Sequence, residues 1–188
     1  MAGSAVRHGM GRNDAGQLVG MIQVSLDTSF LISFADPERT NHAVAVEYFR
    51  HCLASRIPMW LSVIAAGEFE VRQPVSDLPL QNFRIQPYNL PHAIRAAALF
   101  RALPLVDAAH PEDRRPIVIN DLKILAQAEE ENIPVILTED RNTLWRRAER
   151  LREGEHAKVR VLLLTDGFTP GRLGNPAQGE FPLPVPPG

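Results

Sequence analysis

An α/β domain built on a parallel sheet with helices on both faces is what this 188-residue sequence predicts. Two observations carry that expectation. Short, continuously apolar segments recur along the chain, as in strands that are buried on both faces. Between them lie stretches with helical spacing or capping signals, and regular alternation of strand and helix marks an α/β fold. The length fits one domain with a sizeable core and decorated ends.

Taken in order, residues 1–20 are rich in glycine, small and polar residues and read as a disordered extension. Regular structure is expected to begin at Met21, a methionine at which translation could equally start. MIQVSL (21–26) reads as the first strand, followed by a short helix over 29–34 and a longer one over 40–55. PMWL (58–61) is the second strand. Ser62 then caps a helix running to Arg72, because its hydroxyl can accept from the free N–H groups of the first turn. FRIQPY (83–88) is a weaker third strand. The helix over 91–103 opens with Pro91, where a missing N–H costs nothing. A long irregular stretch, 104–116, precedes a helix over 117–131. Strand 133–137, helix 142–153 and strand 159–164 complete the domain. From Asp166 to Gly188 the chain is dense in glycine and proline, which suits a flexible or polyproline-like tail.

Composition narrows the function only a little. Hydrophobic residues make up 45% and charged residues 22% of the chain, as in ordinary globular domains. No apolar run approaches the roughly 20 residues of a membrane-spanning helix. The opening residues lack the apolar stretch of a secretory signal, so the expected compartment is the cytoplasm. Cys52 is the single cysteine, which excludes an intrachain disulfide and a cysteine zinc cluster. The six histidines show no ligand spacing. With 20 basic against 22 acidic residues the chain lacks the basic excess of many nucleic-acid binders, so any such contact must come from a local patch.

The chemistry resides in acids. In a parallel sheet the site lies beyond the carboxyl ends of the strands. Asp27 directly follows the first strand and Asp140 lies just past the fourth, although each taken alone reads more readily as a common loop or N-cap residue. Helical spacing places Glu68 on a stripe with Ile64 and Val71, and Asp121 on one with Ile117, Ile124 and Ala128. A carboxylate on an apolar stripe demands a cation, donors or a structural partner such as arginine. The stripe favours Glu68 over Glu70; Glu70 and Glu139 stay open as further contributors. Glu129, Glu130 and Glu131 read as a solvated run. Four converging carboxylates suit Mg²⁺ or Mn²⁺, hard cations that bind phosphate oxygens and support phosphodiester hydrolysis.

These acids, in this order, resemble the PIN-domain family of metal-dependent ribonucleases. Leu26-Asp27-Thr28-Ser29-Phe30-Leu31 is similar to the family's opening strand-to-helix motif. Ser62 with Glu68 resembles the helix supplying the second acid, Asn120-Asp121-Leu122 the third, and Leu137-Thr138-Glu139-Asp140 the fourth. The resemblance covers Met21 to Leu164. It implies a three-layer α/β/α sandwich with a mostly parallel five-stranded sheet and Mg²⁺- or Mn²⁺-dependent cleavage of single-stranded RNA, with Asp27, Glu68, Asp121 and Asp140 as metal ligands. It gives Thr28 or Thr138 a supporting hydrogen bond to a ligand carboxylate or a metal-bound water. Many prokaryotic relatives are toxins held inactive by an antitoxin, often as dimers, so the implied partners are an antitoxin and a second copy of the chain.

Arg141, Arg146 and Arg147, on the helix after Asp140, form a candidate RNA-tracking patch, or equally a solvated face offset by Glu149 and Glu153. Trp60 and Trp145 suit core or shielding roles better than base stacking. Two other functions remain open. One is a catalytically silent PIN-like module that binds RNA or protein. The other is a Mg²⁺ phosphatase forming an aspartyl phosphate, against which stands Ser29 where a second aspartate is expected.

Overall fold

The computed structural model describes residues 22–103 and 115–174, with the backbone alone at 115–118. The expected N-terminal extension, most of the 104–116 loop and the tail beyond Gly174 lie outside the described residues. Five strands, β1 (Val24–Leu26), β2 (Met59–Ser62), β3 (Phe83–Gln86), β4 (Val135–Thr138) and β5 (Arg160–Leu163), form one sheet in the order β3-β2-β1-β4-β5, parallel throughout. Among the described residues six α-helices accompany them: α1 (Thr28–Ala35), α2 (His42–Ala54), α3 (Val63–Glu70), α4 (Leu90–Ala102), α5 (Arg115–Glu130) and α6 (Arg146–Glu153).

The central strands are buried along their length because both faces are covered, which is why they read as unbroken apolar runs. Ser62 accepts from the Ile64 N–H at 3.0 Å and so starts α3. Pro91 stands in the first turn of α4, whose cap is Asn89, paired reciprocally with His92. The last helix departs from expectation. Asp140 is followed by a π-helical turn, Arg141–Trp145, in which the Trp145 N–H reaches back to the Asp140 carbonyl at 3.1 Å, and regular α-helix begins only at Arg146. Such turns cluster at functional sites.

Winding runs outward from β1 through β2 to β3, then returns across the sheet to β4 and β5. The reversal leaves a crevice at the carboxyl ends of β1 and β4, where Leu26 lies beside Leu137 and the Asp27 N–H donates to the Leu137 carbonyl at 3.1 Å. A buried polar lock ties α5 to the neighbouring strands. Ser62 donates to Gln127 Oε1 at 2.5 Å, Gln86 donates to the Gln127 carbonyl, and Gln127 donates to the Gln86 and Pro87 carbonyls.

Packing continues beyond Asp166, into the stretch expected to be tail. Phe168 meets the Tyr48 ring edge-on at 5.0 Å, Leu173 is buried in the core, and Arg160 donates to the Gly174 carbonyl. Two apolar anchors suffice to hold a glycine- and proline-rich segment. Glu129 also differs from its expected solvated role: it accepts from the Lys158 and Val159 N–H groups and pairs with Arg95. Cys52 is fully buried in α2, and burial pushes its thiol up to about 12. Among the described residues no helix is long and apolar enough to cross a membrane.

Candidate active site

Asp27 sits at the end of β1 and caps α1, accepting from the Ser29 N–H at 3.2 Å. Ser29 Oγ donates to the same carboxylate oxygen at 2.7 Å, and Thr138 Oγ1, at the end of β4, donates to it at 2.8 Å. Thr138 Oγ1 also accepts from the Asp140 N–H at 2.9 Å, so a single hydroxyl couples the first and fourth acids. Ser29 Oγ accepts in turn from the Glu139 N–H at 2.8 Å. Asp140 opens the π-helical turn, accepting from the Thr143 N–H at 2.8 Å and from the Thr143 hydroxyl.

Glu68, on α3, accepts from the Thr28 hydroxyl at 2.5 Å and from Asn120 Nδ2 at 2.7 Å. Its placement does not follow from the stripe inferred for it. Val71 is 86% exposed, and the buried side of α3 is carried by Ala65 and Phe69. Glu68 is half-buried at the edge of the cleft, where two donors satisfy it. Glu70 faces away and accepts from the Val75 N–H at 2.6 Å. Asp121 does share a buried stripe with Ile124 and Ala128, and Ile117 lies outside the described side chains.

The four carboxylates line one cleft of about 440 Å³, together with Thr28, Ser29 and Asn120. In their present rotamers no three acidic, histidine or cysteine side chains of the described residues stand close enough to hold one metal ion. Each acid has its own donors, Asp27 from Ser29 and Thr138, Glu68 from Thr28 and Asn120, Asp121 from Arg147 and Asp140 from Thr143, and together they hold four carboxylates in one cleft. The electrostatics show the cost. Burial raises the Asp27 carboxyl above its ordinary range, against hydrogen bonds from Ser29 and Thr138. Burial and the charge of Asp27 push Asp121 up to about 7, although Arg147 pulls it down. All-oxygen and hard, with Asp27 and Asp121 buried and Glu68 and Asp140 half-buried, this donor set fits a hard divalent cation, whose charge would relieve the two buried groups.

Arg147 corrects one of the sequence expectations. It does not track RNA from the surface: it is 3% exposed and forms an ion pair with Asp121. It shares a face of the last helix with Leu144 and Leu151, both buried, and that spacing is a legible signal of a buried cation. Arg141 pairs with Asp166 at 2.9 Å and lies over the Trp145 ring, and Arg146 is half-buried. None of the three lines the cleft.

Sequence reasoning also misses a bracing cluster next to the fourth acid. Glu139 accepts from the Ser33 hydroxyl, from Arg39 at 2.8 Å and from Asn41 at 2.8 Å. Burial pushes its carboxyl up, but those bonds and the charge of Arg39 outweigh burial and hold it below its usual range. The cluster binds the α1–α2 connection to the end of β4 and leaves Glu139 outside the cleft.

A family model described as PIN domain matches residues 24–151. No curated protein matches the chain. Solved structures similar to it include the following three. VapBC2 from Rickettsia felis, bound to a DNA fragment from its promoter, shares 14% identity, with 74% of this chain and 97% of that chain covered and a TM-score of 0.48. Mycobacterium tuberculosis VapC20, a sarcin–ricin-loop-cleaving toxin, shares 17% identity over 73% and 99%, at 0.45. DNA-bound VapBC from Salmonella typhimurium shares 18% over 77% and 99%, at 0.46.

Proposed function

The chain belongs to the PIN-domain family, and on that premise we propose that it is a Mg²⁺- or Mn²⁺-dependent endoribonuclease that hydrolyses phosphodiester bonds of single-stranded RNA. The observation that carries this reading is the cleft at the sheet reversal, where Asp27, Glu68, Asp121 and Asp140 arrive from four different elements. These four are the residues that would hold the metal. When bound, the ion supplies Lewis-acid polarisation of a phosphoryl oxygen and of water.

The chain's own groups set the stage for that chemistry. Thr138 and Ser29 fix the Asp27 carboxylate, and Thr138 also holds the backbone of Asp140, so the first and fourth acids move as a unit. Thr28 and Asn120 orient Glu68 toward the cleft. Arg147 pairs with Asp121 and offsets part of the cost of burying that acid beside Asp27. We further propose the cytoplasm as the compartment, and an antitoxin or a second copy of the chain as protein partner.

Labelled single-stranded RNA incubated with the purified protein tests the reading. Cleavage with Mg²⁺ or Mn²⁺ that stops in EDTA and is lost in Asp27→Asn is the expected result; cleavage that persists in EDTA overturns it. A second reading, a PIN module that binds RNA or protein without cleaving, draws on the ion pair between Arg147 and Asp121, which already satisfies one acid. That reading predicts no cleavage and no thermal stabilisation by either metal.

A further inference from the structure

Four carboxylates outweigh the charge of a single divalent ion, so a cation at the rim of the cleft would help to receive an RNA strand. Among the described residues that line the cleft, Arg72 is the one basic side chain. It stands just past the end of α3, exposed, and its guanidinium makes no hydrogen bond or ion pair with the described residues. The backbone beneath it is pinned: the Arg72 and Gln73 N–H groups both donate to the Phe69 carbonyl, at 2.9 and 3.0 Å, and Glu70 ties Val75 to the same turn. Among the described residues the guanidinium thus has no partner, and it rides on a fixed base. Beside it on the same rim lie Val71, almost wholly exposed, and Ile32.

We propose that Arg72 anchors a backbone phosphate of the RNA strand beside the scissile one, with Val71 and Ile32 taking the adjacent sugar or base. The inference rests on the ribonuclease reading and assigns the strand's path across the C-terminal end of α3. A planar guanidinium grips phosphate through two parallel hydrogen bonds, which a lysine ammonium does not reproduce. Apolar contact from Val71 is indifferent to salt, whereas the Arg72 contact releases counterions. The two contributions are therefore separable by experiment.

Binding of a short fluorescein-labelled single-stranded RNA is followed by anisotropy in Ca²⁺, across a salt series, for the full chain and for Arg72→Gln, Arg72→Lys and Val71→Ser. Arg72→Gln is expected to weaken binding roughly tenfold at moderate salt and to flatten the plot of log affinity against log salt by about 0.7, the slope of one single-strand phosphate contact. Arg72→Lys should keep the slope and lose part of the affinity. Val71→Ser should lose affinity with the slope intact. The metal-induced rise in Tm should be unchanged in all three, since none is a ligand. Unchanged affinity and slope in Arg72→Gln overturn the proposal, as does a parent chain that binds no RNA. If the parent binds RNA but cuts it with neither Mg²⁺ nor Mn²⁺, the nuclease reading fails, while the Arg72 comparison still decides whether the anchor exists.

Discussion

Asp121→Asn removes one charge from the cleft at nearly constant shape, and the metal-free protein should become more stable for it. The unfolded carboxyl ionises near 3.8 and the folded one at about 7. Between those values the folded chain holds more protons than the unfolded chain. The stability that Asp121 contributes is thus fully present below about pH 4 and is lost as the pH rises to about 7. A gap of about 3 pH units corresponds to about 4 kcal/mol, none of which a non-ionising amide forfeits. The attraction of Arg147 is already inside that balance, because it lowers the folded value and burial with Asp27 outweighs it. The amide oxygen also still accepts from Arg147. In EDTA the variant should therefore exceed the parent by up to about 4 kcal/mol at pH 8 and by about 2 kcal/mol at pH 5. At pH 8 that is a rise in Tm on the order of 10 °C for a chain of this size. Urea unfolding followed by circular dichroism at both pH values measures it. A variant less stable than the parent by about 3–5 kcal/mol would show that the buried ion pair with Arg147 outweighs the repulsion, which would refute this reasoning.

Three further expectations follow from the same geometry. Mg²⁺ or Mn²⁺ should raise the parent's Tm more at pH 8 than at pH 6, because Asp121 must release its proton to bind; equal shifts in thermal melts at the two pH values would remove Asp121 from the ligand set. A chain ending at Asp166 loses the contacts of Phe168 and Leu173, worth about 3 kcal/mol or more, and should melt on the order of 10 °C below one ending at Gly174; equal melting temperatures would show that this segment contributes nothing. Gln127→Leu strands the Ser62 hydroxyl and the Gln86 and Pro87 carbonyls, so urea unfolding should report a loss of about 3 kcal/mol; a neutral result would mean that water repairs the lock.

The sheet and its helices are legible in the sequence because burial on both faces leaves unbroken apolar strands, and because caps such as Ser62 and Asn89 act within a few residues. Asp27 and Asp140 stand out by position alone, at the ends of β1 and β4. Asp121 stands out by helical spacing. Glu68 is different, since Val71 points to solvent and the apolar stripe expected around it does not exist; the family pattern locates this residue and helical periodicity does not. Arg147 is hidden by the arginines around it, which invite a single surface reading, although Leu144 and Leu151 mark its face as buried. What no local pattern reveals is pairing across the fold. Glu129 finds its N–H partners about thirty residues later, and Glu139 meets Arg39 and Asn41 about a hundred residues away. Nor does composition show that two apolar residues can anchor a segment otherwise built for disorder.

The solitary cysteine has a practical consequence. A thiol that is sealed inside α2 and ionises only near 12 is inert toward maleimides at neutral pH. The chain is therefore ready for site-specific labelling without first removing a background thiol. Val71, bare at the lip of the cleft, is the natural place to introduce one. A fluorophore on Val71→Cys would sit where the strand is proposed to enter and would report its arrival, or that of any protein that blocks it, in real time.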